Sequence, residues 1–468
     1  MTQEELLALI PTYDKAVENI KALVDLSEID TYLKQYDPTQ HDIFDKSNRP
    51  DKIIKNDQDI DETIPVTRIG IALQKLIVSR AAAFLCGNPI QIKGVPNGVP
   101  ETNMLAGVNK VWLSNKLDFK SKELARLMFS ETACAELWYA QKADPDYWTG
   151  EPVKSQWRLR VKILAASLGD DLYPVFSPEG DMIAFGRGYK IKVDDKDEEH
   201  FDLYTDTTTY LGANETGGWI VTTEKNVLGK IPVIYYSQPK PAWDDVQTMI
   251  DQLETVISNM SDTNGYFGDP MIIIEGEIKG FAKKGQTGKT LQLENGAKVS
   301  YLTWDQAPEA IKMEIDNLLR FIYNITDTPD ISFEQMKSIG GNAPSGFALE
   351  MLFLGAHLKA SDNEELYGQS TQRRLNFIVT ALAAIDTNLK QGLSLKIRPQ
   401  FEYFIPKNNA EKIDILNSAV TGGIMSTESA VRQNPLVDNA VAELELIKTE
   451  KDTAAASPSG LNLLMNGN

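Results

Sequence analysis

The sequence predicts an α+β protein. Three observations carry that expectation. Apolar residues recur at helical spacing before residue 135 and again after residue 240. Between Trp157 and Ser237 the pattern changes to short alternating runs separated by turn residues. The chain has 468 residues with 42% apolar side chains, ample for a packed core in more than one domain.

Residues 1–65 hold 15 acids against 7 Lys/Arg and read as a short helical start followed by a polar surface arm. Residues 66–86 (VTRIGIALQKLIVSRAAAFLC) place Ile69, Leu73, Leu76 and Ile77 on one helical face, and Gly87 with Pro89 stops that helix. Ile90-Gln91-Ile92 alternates as a strand. Two further helices are expected at Asn103–Asn115 and Phe119–Glu131, then a strand at Ala135–Ala140. The following β region predicts strands at Arg158–Ile163, Tyr173–Phe176, Met182–Val193, Phe201–Tyr210, Gly218–Thr223 and Val233–Tyr236, an antiparallel meander.

Residues 241–270 contain six acids and no Lys or Arg. On a helical wheel Val246, Met249, Ile250, Leu253, Val256, Ile257 and Met260 share one face, while Asp244, Thr248, Asp251, Thr255, Ser258 and Asp262 share the other. The result is a negative stripe along the helix, which a solvated face would also explain. Residues 271–307 are β-prone, punctuated by glycine, and carry five Lys against four acids. Pro308 opens a helix that ends before Pro329. A Gly/Ser/Asn-rich loop follows, then a helix of some forty residues from Phe347 to about Lys390. A strand at Ser394–Ile405 and three short helices complete the ordered chain, and the Ala/Ser/Gly/Asn-rich tail is expected to be disordered.

Several functions are disfavoured. A net charge of −19 argues against a general nucleic-acid coat. Cys86 and Cys134 form no C-x-x-C, which excludes a cysteine zinc site. Gly285-Gln286-Thr287-Gly288-Lys289-Thr290 lacks the P-loop spacing, because position 283 is lysine. Asp194–Glu199 lacks calcium-loop spacing and reads as a hairpin tip. No H-E-x-x-H or G-x-S-x-G occurs, and no nucleophile, base and oxyanion donor assemble, so neither an enzyme nor a cofactor is expected. The acidic N-terminus is unlike a secretion signal, and no apolar run is long enough for a membrane span.

Four stretches resemble one family. They are Ala82–Gly94 (AAFLCGNPIQIKG), Ile250–Pro270 (IDQLETVISNMSDTNGYFGDP), Pro329–Leu349 (PDISFEQMKSIGGNAPSGFAL) and Gly422–Glu445 (GGIMSTESAVRQNPLVDNAVAELE). Their order and spacing resemble the bacteriophage portal proteins of siphophages, the family that includes the portal of phage SPP1. The resemblance implies a portal-type fold: an N-terminal arm and α+β wing (1–240), stem helix 1 (241–269), a small β-containing clip (270–307), stem helix 2 (308–330), a tunnel loop (331–346), a long wing helix with closing strand (347–406), a helical crown (407–452) and the tail (453–468).

The resemblance also implies a role. The family forms a ring, usually of twelve subunits, at one capsid vertex of the virion, through which double-stranded DNA is packaged and ejected. Expected partners are further copies of the chain, double-stranded DNA in the lumen, the terminase large subunit, the head–tail adaptor, and the major capsid and scaffolding proteins; no membrane is implied. Asp244, Asp251 and Asp262 become candidates to line the tunnel. Phe333, Gln335, Met336, Lys337 and Ser338 become candidates to reach DNA, with Gly340 and Gly341 as the loop's hinge. Lys279, Lys283, Lys284, Lys289 and Lys298 are candidates for docking at the clip, with ordinary solubilising charge as the alternative. A capsid or tail component that never touches DNA is the competing reading, and a nucleotide-dependent enzyme a more distant one.

Overall fold

The structure is a computed structural model that describes residues 4–5, 8, 10, 12–55, 59–193, 195–215, 217–268, 272–275, 278–280, 292–293, 298–301, 307–331, 351–403 and 409–456. The chain divides into two compact units. One comprises Met1–Pro329 with Gly355–Phe404, and the other Asp330–Leu354 with Ile405–Asn468.

In the first unit, α1 (Tyr13–Lys21) and α2 (Ile29–Tyr36) precede a hairpin of β1 (Lys52–Lys55) and β2 (Asp61–Ile64). Helix α3 spans Leu73–Cys86, so the helix expected from residue 66 starts seven residues later. Strand β3 (Gln91–Val95) leads to α4 (Val99–Ser114) and α5 (Leu117–Glu131). Strands β4 (Ala133–Lys142) and β5 (Trp157–Leu164) follow, then β6 (Asp170–Phe176), β7 (Met182–Val193), β8 (Lys196–Tyr204), β9 (Thr208–Glu215), β10 (Gly218–Lys225) and β11 (Val233–Ser237).

The β region makes two sheets. β10-β9-β8-β7-β6 is an antiparallel meander, and β11-β4-β5 is a separate sheet. The single strand expected over Phe201–Tyr210 is in fact β8 and β9, because Thr205 breaks it. The Thr205 N–H and hydroxyl both donate to the Thr208 carbonyl, at 2.9 and 2.7 Å, and close a turn. Of the acidic run, Asp195 takes φ 63° ahead of β8, and Lys196–Glu199 belongs to that strand rather than to a tip. Helix α1 covers one face of the meander with Tyr13, Val17 and Ile20, and the Tyr13 hydroxyl donates to the Phe201 carbonyl at 2.7 Å.

Helix α6 (Gln247–Gly268) follows a 3₁₀ turn at Asp244–Val246. Two short antiparallel pairs come next: β12 (Ile272–Glu275) with a later strand, and β13 (Ile278–Gly280) with β14 (Gln292–Leu293). The partner of β12 is β15 (Lys298–Tyr301). Helix α7 (Ala307–Ile325) returns against α6. Helix α8 runs from Leu354 to Ile385, 32 residues and roughly 48 Å at 1.5 Å per residue. It stops five residues short of the expected Lys390, because Asp386 leaves the helix and its carboxylate accepts the Asn388 N–H, capping a 3₁₀ segment at Thr387–Gly392. The closing strand β16 is Lys396–Gln400, shorter than Ser394–Ile405, and pairs antiparallel with β3.

The second unit contains α9 (Asn409–Thr421), α10 (Thr427–Gln433) and α11 (Ala440–Ala456). The Ser426 hydroxyl accepts the Ser429 N–H and caps α10, as its sequence predicts. Helix α11 continues to Ala456, past the boundary at which the tail was expected to begin.

The polar middle of α8 is a solvent face on one side only, with Asp362, Glu365 and Gln369 exposed. Tyr367, Thr371 and Arg374 are fully buried in the main core. Arg374 Nε donates to Glu136 Oε2 on β4 at 3.0 Å, Nη2 lies 2.5 Å from Oε1, and Nη1 donates to Ser121 Oγ on α5 at 2.8 Å. Trp138 Nε1 donates to the same carboxylate at 3.1 Å, and the guanidinium lies 5.3 Å from the Trp112 ring centroid. Burial opposes the Arg374 charge, but Glu136 outweighs it, so the arginine pKa is raised.

Replacing Arg374 with Met should leave the Glu136 charge buried without its partner. The expected loss is about 3–5 kcal/mol of unfolding free energy. Adding Glu136→Leu should recover part of that loss, and chemical denaturation of both variants measures it. Equal stability of the single and double variants would contradict the argument.

Candidate functional site: the stem helix and the arm strapped to it

The segment expected as the first stem helix forms α6, whose apolar side is fixed by its sequence. Val246 and, on the helix, Ile250 and Leu253 are fully buried and join α7 residues Leu318 and Ile322 in one hydrophobic cluster. The opposite side was expected to carry an unbroken negative stripe. The structure corrects this: the chain's own arm lies on it.

Residues 65–72 are not helical. Alternate backbone N–H groups of this strap donate to side chains one helical turn apart on α6. Thr67 N–H reaches Asp262 Oδ1 at 2.8 Å, Ile69 N–H reaches Ser258 Oγ at 3.0 Å, and Ile71 N–H reaches Glu254 Oε1 at 2.7 Å. The spacings match. Two residues of extended chain rise about 6.6 Å and four residues of helix rise about 6.0 Å. A strap can therefore satisfy its inward N–H groups on a helix that presents acceptors at i, i+4 and i+8. Gly70 permits the approach, since a Cβ there would stand 2.3 Å from the Pro38 carbonyl oxygen and 2.8 Å from Phe44 Cε2.

Two ionic contacts fasten the arm. Arg49 Nη2 lies 2.8 Å from Asp262 Oδ2, and its Nη1 donates to Asn259 at 2.7 Å. His41 is buried, with Nδ1 2.6 Å from Glu254 Oε1 and Nε2 2.7 Å from the Gln35 carbonyl. Both ring nitrogens face oxygens, an arrangement that the imidazolium form satisfies by donating from both. Burial works to lower its pKa; the hydrogen bond and charge of Glu254 prevail and raise it.

The three predicted tunnel acids therefore differ. Asp244 is exposed, 4.0 Å from Lys240. Asp251 is half-buried and accepts from Gln247 Nε2 at 2.8 Å; burial raises its pKa, with nearby Asp42 and Glu254 adding to the rise. For Asp262 burial also pushes upward, but the Thr67 hydrogen bonds and Arg49 outweigh it and hold the carboxyl below its usual value. Asp251 and Asp262 are thus engaged within the chain.

At the clip, Lys298 is exposed on β15 and stands opposite Glu275 in register. The Lys279 backbone lies in β13, and its side chain is outside the described residues, as are Lys283, Lys284 and Lys289. Phe333, Gln335, Met336, Lys337, Ser338, Gly340 and Gly341 also lie outside the described residues.

Sequence reasoning missed His41, Arg49, Glu254 and the strap. Ile69 and Leu73 are four apart and mimic helical spacing, whereas Ile69-Gly70-Ile71 after Pro65 is also the alternation of an extended strand. Among the described residues, no helix is long and apolar enough to cross a membrane, and no group of three or more His, Cys, Asp or Glu could hold a metal ion.

The His41–Glu254 pair makes arm docking pH-dependent. The folded imidazole pKa lies above its ordinary 6.5, so the stabilisation is fully present below that value and is lost as pH rises through the folded pKa. Amide exchange at Ile71 should speed up as the pH rises above 6.5, beyond the intrinsic base-catalysed increase. His41→Gln should remove the excess. An excess that survives the substitution would place its source elsewhere.

The chain is similar to several known proteins. A curated relative, the portal protein of Bacillus phage SPP1, is 25% identical over 243 residues, so the aligned stretch spans about half of each protein, 50% of this chain and 47% of the relative. Among solved structures, the neck of a native gene transfer agent particle computed with C12 symmetry is 10% identical with a TM-score of 0.39, covering 78% of this chain and 88% of that one. The neck of an empty particle computed with C6 symmetry is 11% identical with a TM-score of 0.40, covering 76% and 86%. The model of the family described as phage portal protein, SPP1 Gp6-like, matches residues 18–457, and the chain belongs to that family.

Proposed function

We propose that this chain is a structural portal protein, copies of which close into a ring, with twelve subunits as the expected number, at one capsid vertex of the virion. Double-stranded DNA passes through its lumen during packaging and ejection. The observation that carries this reading is the family match over residues 18–457.

The second unit supports assembly. Ile415, Ile424, Leu436, Val441 and Leu446 are exposed on its helices and the turns between them, while Leu416 is buried. Three short helices with so little enclosed apolar surface need neighbours to cover the rest. Within the ring, Asp244, exposed although 4.0 Å from Lys240, is the one of the three candidate acids placed to repel phosphate, which lets DNA slide rather than bind. Phe333, Gln335, Met336, Lys337 and Ser338 form the constriction, with Gly340 and Gly341 as its hinge. Lys337 supplies one positive charge per subunit, enough for transient phosphate contact without the grip of a long basic groove. The clip, with Lys279, Lys283, Lys284, Lys289 and Lys298, docks the terminase large subunit and then the head–tail adaptor. The major capsid and scaffolding proteins surround the ring during assembly.

Negative-stain imaging of particle-derived protein should give rings with a central hole; monomers or an open lattice would overturn this reading. Within intact rings, Lys337→Glu should change packaging rate or DNA retention, measured as DNA per particle over time. Wild-type values for both would remove the DNA-contact role from that residue.

A further inference from the structure

Two unlike apolar surfaces of the first unit are left uncovered, the hairpin β1–β2 and a groove along α7. One flank of α6 holds the strap through Glu254, Ser258 and Asp262, and the other packs on α7. The strap is preceded by the hairpin β1–β2, all of whose strand residues are exposed, with Ile53 at 69%. Ile54 and Ile64 are exposed on its other face. A lone two-stranded hairpin is marginal in water, so isoleucines on both faces mark a surface made to be covered. Along α7, beside its contact with α6, Ala310, Met313, Glu314, Asn317, Leu318 and Phe321 line an open groove of about 410 Å³; Leu318 also packs toward α6, and Gln252 Nε2 of α6 donates to Glu314 Oε1 at 3.4 Å. Met313 is 65% exposed and Phe321 53%.

The charges beside the two surfaces are complementary. β1 carries Lys52 and Lys55, the latter with an exposed pairing to Asp59 at 2.7 Å that docking would exchange, and β2 carries Asp61 and Glu62. On the helical wheel of α7, exposed Glu314 borders one side of the groove and exposed Arg320 the other. Basic and acidic strands thus meet acidic and basic rims.

We propose that hairpin β1–β2 of one copy docks into the α7 groove of the next copy. The Lys52/Lys55 strand then runs along the Glu314 rim and the Asp61/Glu62 strand along the Arg320 rim. This rests on the ring reading and names the contact that closes it. Hairpin and groove are different patches with no residue in common, so each copy offers one of each. Such a head-to-tail contact builds rings when the rotation closes.

The test uses the full chain with Ile53→Cys and Phe321→Cys together. The native Cys86 and Cys134 are buried, and burial raises both thiol pKa values, so they compete poorly for oxidation. Oxidation should give a ladder of covalent multimers on a non-reducing gel, while each single variant gives no species above a dimer. The unoxidised mass is measured separately. A ring mass without the ladder overturns this contact and leaves the ring reading intact; a monomer without the ladder overturns both. As a second arm, Lys55→Glu should lower the ring fraction, and adding Glu314→Lys should restore it. Undiminished rings with Lys55→Glu, or no recovery with the pair, would overturn the assigned register.

Discussion

The buried pair of Arg374 and Glu136 is the constraint on which the wing depends. It ties the long helix α8 to β4, and through Ser121 to α5, at a point where no water can substitute. The same place gathers Trp112, Trp138 and Tyr236 around the guanidinium and its carboxylate partner. A buried ion pair adds little net stability over an apolar replacement, but half of one is costly. Its effect here is registry. Sliding α8 by one turn along β4 would leave both charges without partners, so the helix has one permitted position. Tyr367 strengthens the same registry by donating to the Ser121 carbonyl at 2.7 Å.

The stem solves a different problem. A polar arm must cross the acidic side of a helix without leaving its own N–H groups unsatisfied. It does so by lying extended over acceptors spaced one helical turn apart, with Arg49 and protonated His41 neutralising two of the carboxylates. The acids of α6 are therefore of two kinds. Those within reach of the strap are consumed by intramolecular contacts, and Asp244, before the helix, is left facing solvent. The electrostatic character of the stem follows from what covers it as much as from its composition.

Both units leave apolar surface uncovered. On the first unit it is the hairpin and a groove along α7, and on the second unit it is scattered over short helices. A chain that leaves such surface while packing its wing core tightly is consistent with a subunit that completes itself by association. That is the physical content behind family membership, and it comes from exposure rather than from sequence likeness.

The sequence by itself determined the α+β class, most helices, the meander, the cap at Ser426, and through its ordered motifs the family. Those features are written in short-range periodicity, in turn residues and in linear order, all of which survive without three-dimensional context. Tertiary structure decided the rest. Residues 66–72 carry apolar spacing that fits helix or strand, and only the acceptors on α6, nearly two hundred positions away, select the extended form. Arg374 reads as an ordinary polar residue until β4 brings Glu136 against it, 238 positions distant. The acidic stripe reads as free until the arm returns to cover it. In each case the deciding partner is remote in sequence, and hydrogen bonds and charges are satisfied in space, not along the chain.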